Sequence, residues 1–451
     1  MAPADFFSPG RHPAKNDAQA RGGGWGMFKL EENGTSVRTE LLAGLTTYMT
    51  MVYIAFVNPA ILADAGMDKG AVFVATCLAA SFGSALMGLY ANYPVALAPG
   101  MGLNAYFTYS VVKGLGIPWE AALAAVFASG VLFLLVSVTP VRQWIIDSIS
   151  KSQKLAISVG IGFFLVLIGM RGAGLIAADP ETLVRLGDIK SPGAAIAVAA
   201  FVLMAALDAR KIHGAILIGI LFAYVAGFAF GLSTFTGIAS LPPSIAPVFL
   251  KMDLAALFDT AMLAVVLTFF FIVVFDNTGT LIGVARAAGM MQPDGSLPRL
   301  ERALVVDSTA AMAGAALGTS TTTSYIESAA GVNAGGRTGL VAITVAVLFL
   351  ATLLFAPLAG SIPAFATAPA LVFVGCLMMA AAKDIEFDDP TEYVPAAVTI
   401  IAMPLTFSIA DGIAFGLIAY AGIKLLAGRW AELPVAVCVL AALFILRFAL
   451  L

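Results

Sequence analysis

The residues best suited to chemistry lie in the stretch Leu317 to Gly336, LGTSTTTSYIESAAGVNAGG. Here an unbroken hydroxyl run from Thr319 to Ser324 leads into Tyr325 and the acid Glu327. Long apolar runs flank it on both sides. If those runs lie in a bilayer, Glu327 sits at membrane depth, where an ionised carboxylate costs about 2.5–3.5 kcal/mol even on the gentler insertion scales. A residue kept at that cost is a functional candidate by default. A second acid, Asp276, interrupts the run AVVLTFFFIVVFDNTGTLIGVA. Thr280 lies one helical turn beyond it, and Gly279 and Gly283 leave room on roughly that face for a close approach. A third stretch, YPVALAPGMGLNAYFTYSVV (Tyr93 to Val112), contains Pro99, Gly100 and Gly102 with Asn104 one turn on.

A carboxylate can accept two parallel hydrogen bonds from an amidine-like edge. Two such carboxylates among amides, hydroxyls and rings suit a flat heterocycle with N–H edges. Charge-assisted hydrogen bonds of this kind contribute about 1.5–3 kcal/mol each. Phe56, Phe275, Tyr106 or Tyr325 could stack on the ring, and Thr323 and Ser324 are the hydroxyls placed to touch it. Ligand N–H donors and protons compete for the same carboxylate oxygens, so occupancy and protonation of Asp276 and Glu327 would be linked. No Na+-binding pattern stands out.

Plainer readings exist for each residue. A structural Glu327 would need a buried cation, yet its segment has no Lys or Arg before Arg337. Asp276 could cap a broken helix, and Asn104 could as readily tie two half-helices together as touch a ligand. Most of the Ser/Thr run would satisfy backbone groups.

The elements that must hold these residues follow from composition. The 451-residue chain is 60% hydrophobic and 11% charged, with a mean hydropathy of +0.97. That is far more apolar than a soluble domain and marks an integral membrane protein. The net charge of −3 is spread over loops and points to no nucleic-acid partner. Cys77, Cys376 and Cys438 fall in apolar runs without a CxxC or a nearby histidine, so no metal or cofactor site is indicated. HExxH and GxSxG motifs are absent, which speaks against an enzyme.

Residues 1–37 read as a disordered cytoplasmic tail. Helix-length apolar segments then fall near 41–62, 71–90, 119–138, 154–172, 192–209 and 213–232, and again near 255–283, 302–318, 337–357, 366–383, 392–410 and 412–427. Residues 434–450 form a last apolar stretch, either a further span or a helix along the interface. Tyr93–Val112 and Thr319–Gly335 are too broken by Pro, Gly or Thr for continuous helices, and each is third in its half. Phe56–Leu62 (FVNPAIL) also aligns with Phe275–Leu281 (FDNTGTL). The expected fold is therefore all-α, with about fourteen transmembrane segments as two inverted seven-span repeats. Spans 3 and 10 are each an extended piece leading into a half-helix. Half-helix starts facing a cavity would favour an anionic or acceptor-rich ligand and the ionised form of Glu327. Basic residues such as Arg142, Lys151, Lys154, Arg210 and Lys383 gather on one side with the tail, which places the N-terminus on the cytoplasmic side of an inner (plasma) membrane.

LAPGMGLNAYF (Leu97 to Phe107), FDNTGTLIG (Phe275 to Gly283) and TSTTTSYIESAAGVNAGGRTGL (Thr319 to Leu340) resemble motifs of the AzgA-like purine permeases. Those are adenine/guanine/hypoxanthine transporters related to the uracil and xanthine permeases. The resemblance runs from about Arg38 to Gly428. It implies a core domain (38–138 and 255–357, spans 1–4 and 8–11) and a gate domain (139–254 and 358–430, spans 5–7 and 12–14), with 431–451 as a C-terminal apolar segment. It further implies proton symport of purine bases by elevator-type movement, commonly in a homodimer, with Asn104, Asp276 and Glu327 binding substrate. After the span-8 acid the chain has Asn277-Thr278, and it has Thr280 where uracil permeases carry a histidine, so no histidine proton relay transfers. The competing readings are a permease of another nucleobase, xanthine or uracil, an anion exchanger of the same architecture, and a channel. Two membrane-depth acids would repel an anion.

Overall fold

The computed structural model describes residues 26–139, 148–290 and 297–450. Side chains at 260, 261, 275, 278, 279, 282, 286, 287, 447 and 450 also lie outside the described residues. The fold is almost wholly helical. Among the described residues, eight helical stretches are long and apolar enough to cross a membrane.

The first span is two helices, α1 (Val37–Met51) and α2 (Ile54–Ala63). Pro59 inside α2 has no N–H and crowds the carbonyl a turn earlier. Just before that turn the ladder tightens to three-residue spacing, with Ala55 N donating to Val52 O and Phe56 N to Tyr53 O, both at 3.0 Å. The offset turns Tyr53 inward. Next come α3 (Lys69–Leu86), which continues through a π-helical turn (Met87–Ala91), then β1 (Leu97–Pro99) and α4 (Met101–Ala105), which runs on as a π-helix (Tyr106–Gly114). After α5 (Trp119–Ser137) and α6 (Lys151–Gly172) stands a small hairpin, β2 (Ile176–Asp179) and β3 (Leu183–Leu186). Its tight turn is held by Asp179, whose Oδ1 accepts from the Glu181 and Thr182 amides. The helices α7 (Pro192–Ala209) and α8 (Ala215–Ala229) close the first half.

The second half opens with α9 (Thr260–Ala287) and α10 (Leu300–Leu317). Next come β4 (Thr322–Ser324) and α11 (Ser328–Asn333), then α12 (Gly339–Thr352) and the short α13 (Ala356–Ser361). Three more helices, α14 (Ala364–Met379), α15 (Pro390–Thr406) and α16 (Ile409–Leu426), lead to α17 (Val435–Leu450).

Both interrupted segments thus take the form of an extended piece followed by a helix start. The structure also pairs them: β1 runs antiparallel to β4, with Leu97 opposite Ser324 and Pro99 opposite Thr322. In a bilayer every backbone polar group needs a protein partner, and the crossing supplies them. Gly100 N donates to Thr321 O (2.9 Å), and Tyr325 N donates to Ala96 O (3.0 Å). Ser84 Oγ both accepts from Leu97 N (2.9 Å) and donates to Leu97 O (3.1 Å), while Ser328 Oγ accepts from Ala96 N. Gly100 is required here, since a Cβ on it would lie 2.7 Å from Thr323 Cγ2.

Helices α1, α3, α5, α9, α10 and α12 pack around this crossing. Helices α6, α7, α8, α14, α15 and α16 pack with one another beside it. The α6–α14 crossing is close because two glycines face each other: a Cβ on Gly375 would meet Gly162 O at 2.5 Å. The expected disorder to residue 37 does not extend over the whole tail, for Gly26–Phe28 form a 3-10 turn. Phe28 is buried, and its carbonyl accepts from Asn92 Nδ2 at 3.4 Å. Residues 1–25 lie outside the described residues.

Candidate functional site

Beside the strand crossing lies a cavity of about 850 Å³, at the upper end of the range that holds a drug-sized ligand. One wall comes from the broken segments and the helices around them: Tyr53, Gly100, Met101, Gly102, Ile272, Asp276, Thr280 and Thr323 to Glu327. The other comes from α6 and α14, with Lys151, Lys154, Ser158 and Ile161 facing Val374, Leu377 and Met378.

Local structure explains each polar group. Glu327 stands where the hydroxyl run ends and α11 begins, as the residue before its first turn. Its Oε1 accepts a hydrogen bond from Tyr53 Oη at 2.8 Å, so the kink between α1 and α2 orients the acid that leads into α11. Tyr325 donates from Oη to Pro99 O at 2.5 Å, which locks its ring across the strand pair. Asp276 reaches the same cavity from the middle of α9, with Thr280 one turn along the same face. Two carboxylates from separate segments thus open onto one space, lined by Tyr53, Tyr325 and hydroxyls. That set can accept hydrogen bonds from a planar donor edge and hold its ring, and the wall opposite is largely apolar.

The expected site residues divide accordingly. Glu327, Asp276, Tyr325, Ser324, Thr323, Gly100 and Gly102 line the cavity. Asn104 does not. It is fully buried, its Oδ1 accepts from Ser320 Oγ, and its Nδ2 has no partner. Its place is inside the half-helix support, beside Asn58, which donates to Thr76 (2.7 Å) and Thr319 (2.8 Å). Phe56 is buried in the packing of α2, away from the cavity wall, and Pro99 serves through its carbonyl. The side chain at Phe275, and position Gly279, lie outside the described residues.

Five contributors escaped the sequence reading. Asp307, on α10, is a further acid next to the site and is fully buried; its Oδ1 accepts from Ser324 Oγ at 2.8 Å and its Oδ2 is unpartnered. The signal for it existed, an acid within the apolar run LVVDSTAAMAGAAL. Tyr53 carried no signal, being one more aromatic in an apolar span. Lys151 and Lys154 read as loop lysines, but they enter the wall of the cavity. Glu40 is also fully buried, accepting from the Thr338 hydroxyl (2.7 Å) and the Arg337 amide (2.8 Å), and so secures the start of α12.

Comparison with solved structures supports this architecture. The chain is similar to the transmembrane domain of a cyanobacterium bicarbonate transporter, BicA, with a TM-score of 0.62 at 15% identity, covering 84% of this chain and 97% of that one. It is likewise similar to SLC26A9, with a TM-score of 0.63 at 10% identity, covering 94% of this chain and 73% of the other. At such identities the likeness is one of fold. Sequence relatives are far nearer. The adenine permease AdeP of Escherichia coli (strain K12) is 46% identical over 93% of this chain and 95% of its own length. The guanine/hypoxanthine permease PbuO of Bacillus subtilis (strain 168) is 44% identical over 94% of this chain and 100% of its own. The sequence pattern of the Permease family (Xan_ur_permease) covers residues 38–415, and this chain, a membrane permease and not an enzyme, belongs to that family.

Proposed function

We propose that the protein imports purine nucleobases by proton symport. The observation that carries this reading is the meeting of Asp276 and Glu327 on one cavity, with Tyr53, Tyr325 and Thr323 beside them. Purines present the ring N–H and exocyclic amine donors that such carboxylates accept, and rings to stack on tyrosines. The names of relatives at 44–46% identity, adenine permease and guanine/hypoxanthine permease, support the same class. Asp276 and Glu327 also serve as the coupling groups, since a proton and a ligand N–H compete for their oxygens.

The movement we assign is of the elevator type. A core of residues 38–138 and 255–357 carries the base against a gate of 139–254 and 358–430, the two built as inverted seven-span halves with the N-terminus cytoplasmic in the plasma membrane. Supporting this, the cavity lies between the two groups of helices, with the acids on the core side and α6 and α14 on the gate side. Two copies form the working unit.

The test is uptake of labelled hypoxanthine into proteoliposomes against a panel of unlabelled bases. Adenine, guanine or hypoxanthine competes, while uracil, bicarbonate and sulfate do not. Competition by an anion alone would replace the purine assignment with an anion exchanger.

A further inference from the structure

The face of α6 that meets the cavity serves as a ruler along the path. Lys151, Lys154, Leu155, Ser158 and Ile161 line it in turn, a span of about 15 Å at helical rise. At Ile161 the space ends, for a Cβ on Gly102 would stand 2.5 Å from Ile161 Cγ2, which puts the core's half-helix against the gate with no gap. One turn farther on, Phe164 is fully buried in an edge-to-face pair with Phe407, ring centroids 5.2 Å apart. Phe407 makes a second such pair with Tyr109 at 6.1 Å. A hydrogen bond fixes the arrangement, Ser110 Oγ donating to Phe407 O at 3.2 Å. On its far side Tyr109 Oη donates to Asp64 Oδ2 at 2.7 Å, at the exposed end of α2.

Both partners have backbones suited to switching. Tyr109 and Ser110 belong to the π-helical stretch Tyr106–Gly114, a conformation frequent at functional sites. Phe407 caps α15 with φ of 54°, a left-handed conformation that a bulky residue adopts only when its surroundings impose it.

We infer that Phe164, Phe407 and Tyr109, latched by the Ser110 hydroxyl, form the gate at the end of the path opposite Lys151 and Lys154. The structure is the state with that gate shut and the cavity open toward the lysines. This rests on the transport reading of the cavity, and it adds which residues part when the cavity changes sides. Breaking the latch removes one partly buried hydrogen bond, and removing the Phe407 ring also deletes two aromatic pairs. The shift in population between the two states is about tenfold.

The experiment is labelling of a single cavity cysteine, Ser158→Cys, with a membrane-impermeant thiol reagent in cells and in inverted vesicles. Cys376 and Cys438 are replaced, and Cys77, fully buried, is retained. With the latch intact, labelling is fast in inverted vesicles and slow in cells. Ser110→Ala raises the rate in cells, Phe407→Gly raises it about tenfold, and Ser110→Thr, which keeps the hydroxyl, restores the slow rate. Equal labelling from both sides in the intact protein, or a rate in cells that neither variant changes, overturns the gate. If Phe407→Gly does not insert, the Ser110→Ala and Ser110→Thr pair decides alone. No substrate enters the measurement, so its failure is distinct from an error in the substrate class.

Discussion

At the residue scale, Glu327 is held by one neighbour, and that neighbour sets a measurable expectation. Tyr53→Phe removes the hydrogen bond to Glu327 Oε1 without removing the ring. A hydrogen bond to a charged group contributes about 1.5–3 kcal/mol, so KM for the base rises about ten- to a hundredfold while the protein inserts normally. An unchanged KM would show that the Tyr53 hydroxyl does not orient the acid. Asp307→Asn separates support from contact. Asp307 touches Ser324 and does not line the cavity, so transport falls while a carboxyl-sized side chain still packs; its thermal unfolding stays within a degree or two of the parent if the role is positional. Glu327 and Asp276 were legible in the sequence because a carboxylate in an apolar run is an exception that demands a reason. Asp307 went unseen because its run begins with Glu301 and Arg302, which made it look like the charged edge of a span. Tyr53 was invisible, since nothing in a sequence says which aromatic of a span faces a cavity.

At the scale of elements, the breaks before α4 and α11 were readable from Pro99-Gly100 and from the hydroxyl run, both poor helix formers. What could not be read was that the two extended pieces would bond to each other. That register joins residues more than two hundred positions apart and is decided by which carbonyls remain unsatisfied. The kink at Val52 and Tyr53 was hidden for a similar reason: Pro59 advertises a disturbance but not where the ladder yields. The crossing of α6 and α14 supplies its own test. Gly375→Val places methyls where Gly162 O already sits 2.5 Å from a Cβ position, and overpacking of this kind costs about 1–3 kcal/mol. Thermal unfolding in detergent should show the loss as a lower Tm; an unchanged Tm would mean α6 and α14 are not in contact at that crossing.

At the scale of the whole molecule, a loop network ties α15 and α16 to the lead-in of α17. Arg429 binds Asp389 and Glu432, the latter through two bonds of 2.6 and 2.8 Å, and Lys424 joins Glu432 at 2.8 Å. The Arg429 guanidinium beside Asp389 lowers its carboxyl from 3.8 to about 2. A lowered folded-state value stabilises above the unfolded value and is lost as pH falls through the folded one. The stability difference between the parent and Asp389→Asn should therefore be constant above about pH 5 and vanish between about pH 4 and pH 2. A difference that persists at pH 2 would contradict the pairing. Coupling belongs to this scale as well. An acid-outside gradient should drive accumulation of the base and a protonophore should abolish it, whereas accumulation driven by sodium alone would refute proton symport.

The central claim is that two acids from separate segments, Asp276 in α9 and Glu327 at the start of α11, grip one ligand. Equilibrium binding of labelled hypoxanthine to purified protein, for Asp276→Asn, Glu327→Gln and the double variant, measures it most directly. The account predicts at least a roughly tenfold loss of affinity in each single variant, and a double variant weakened by less than the product of the two, because both groups hold the same molecule. Parental affinity in either single variant, or strictly multiplicative losses, would contradict it.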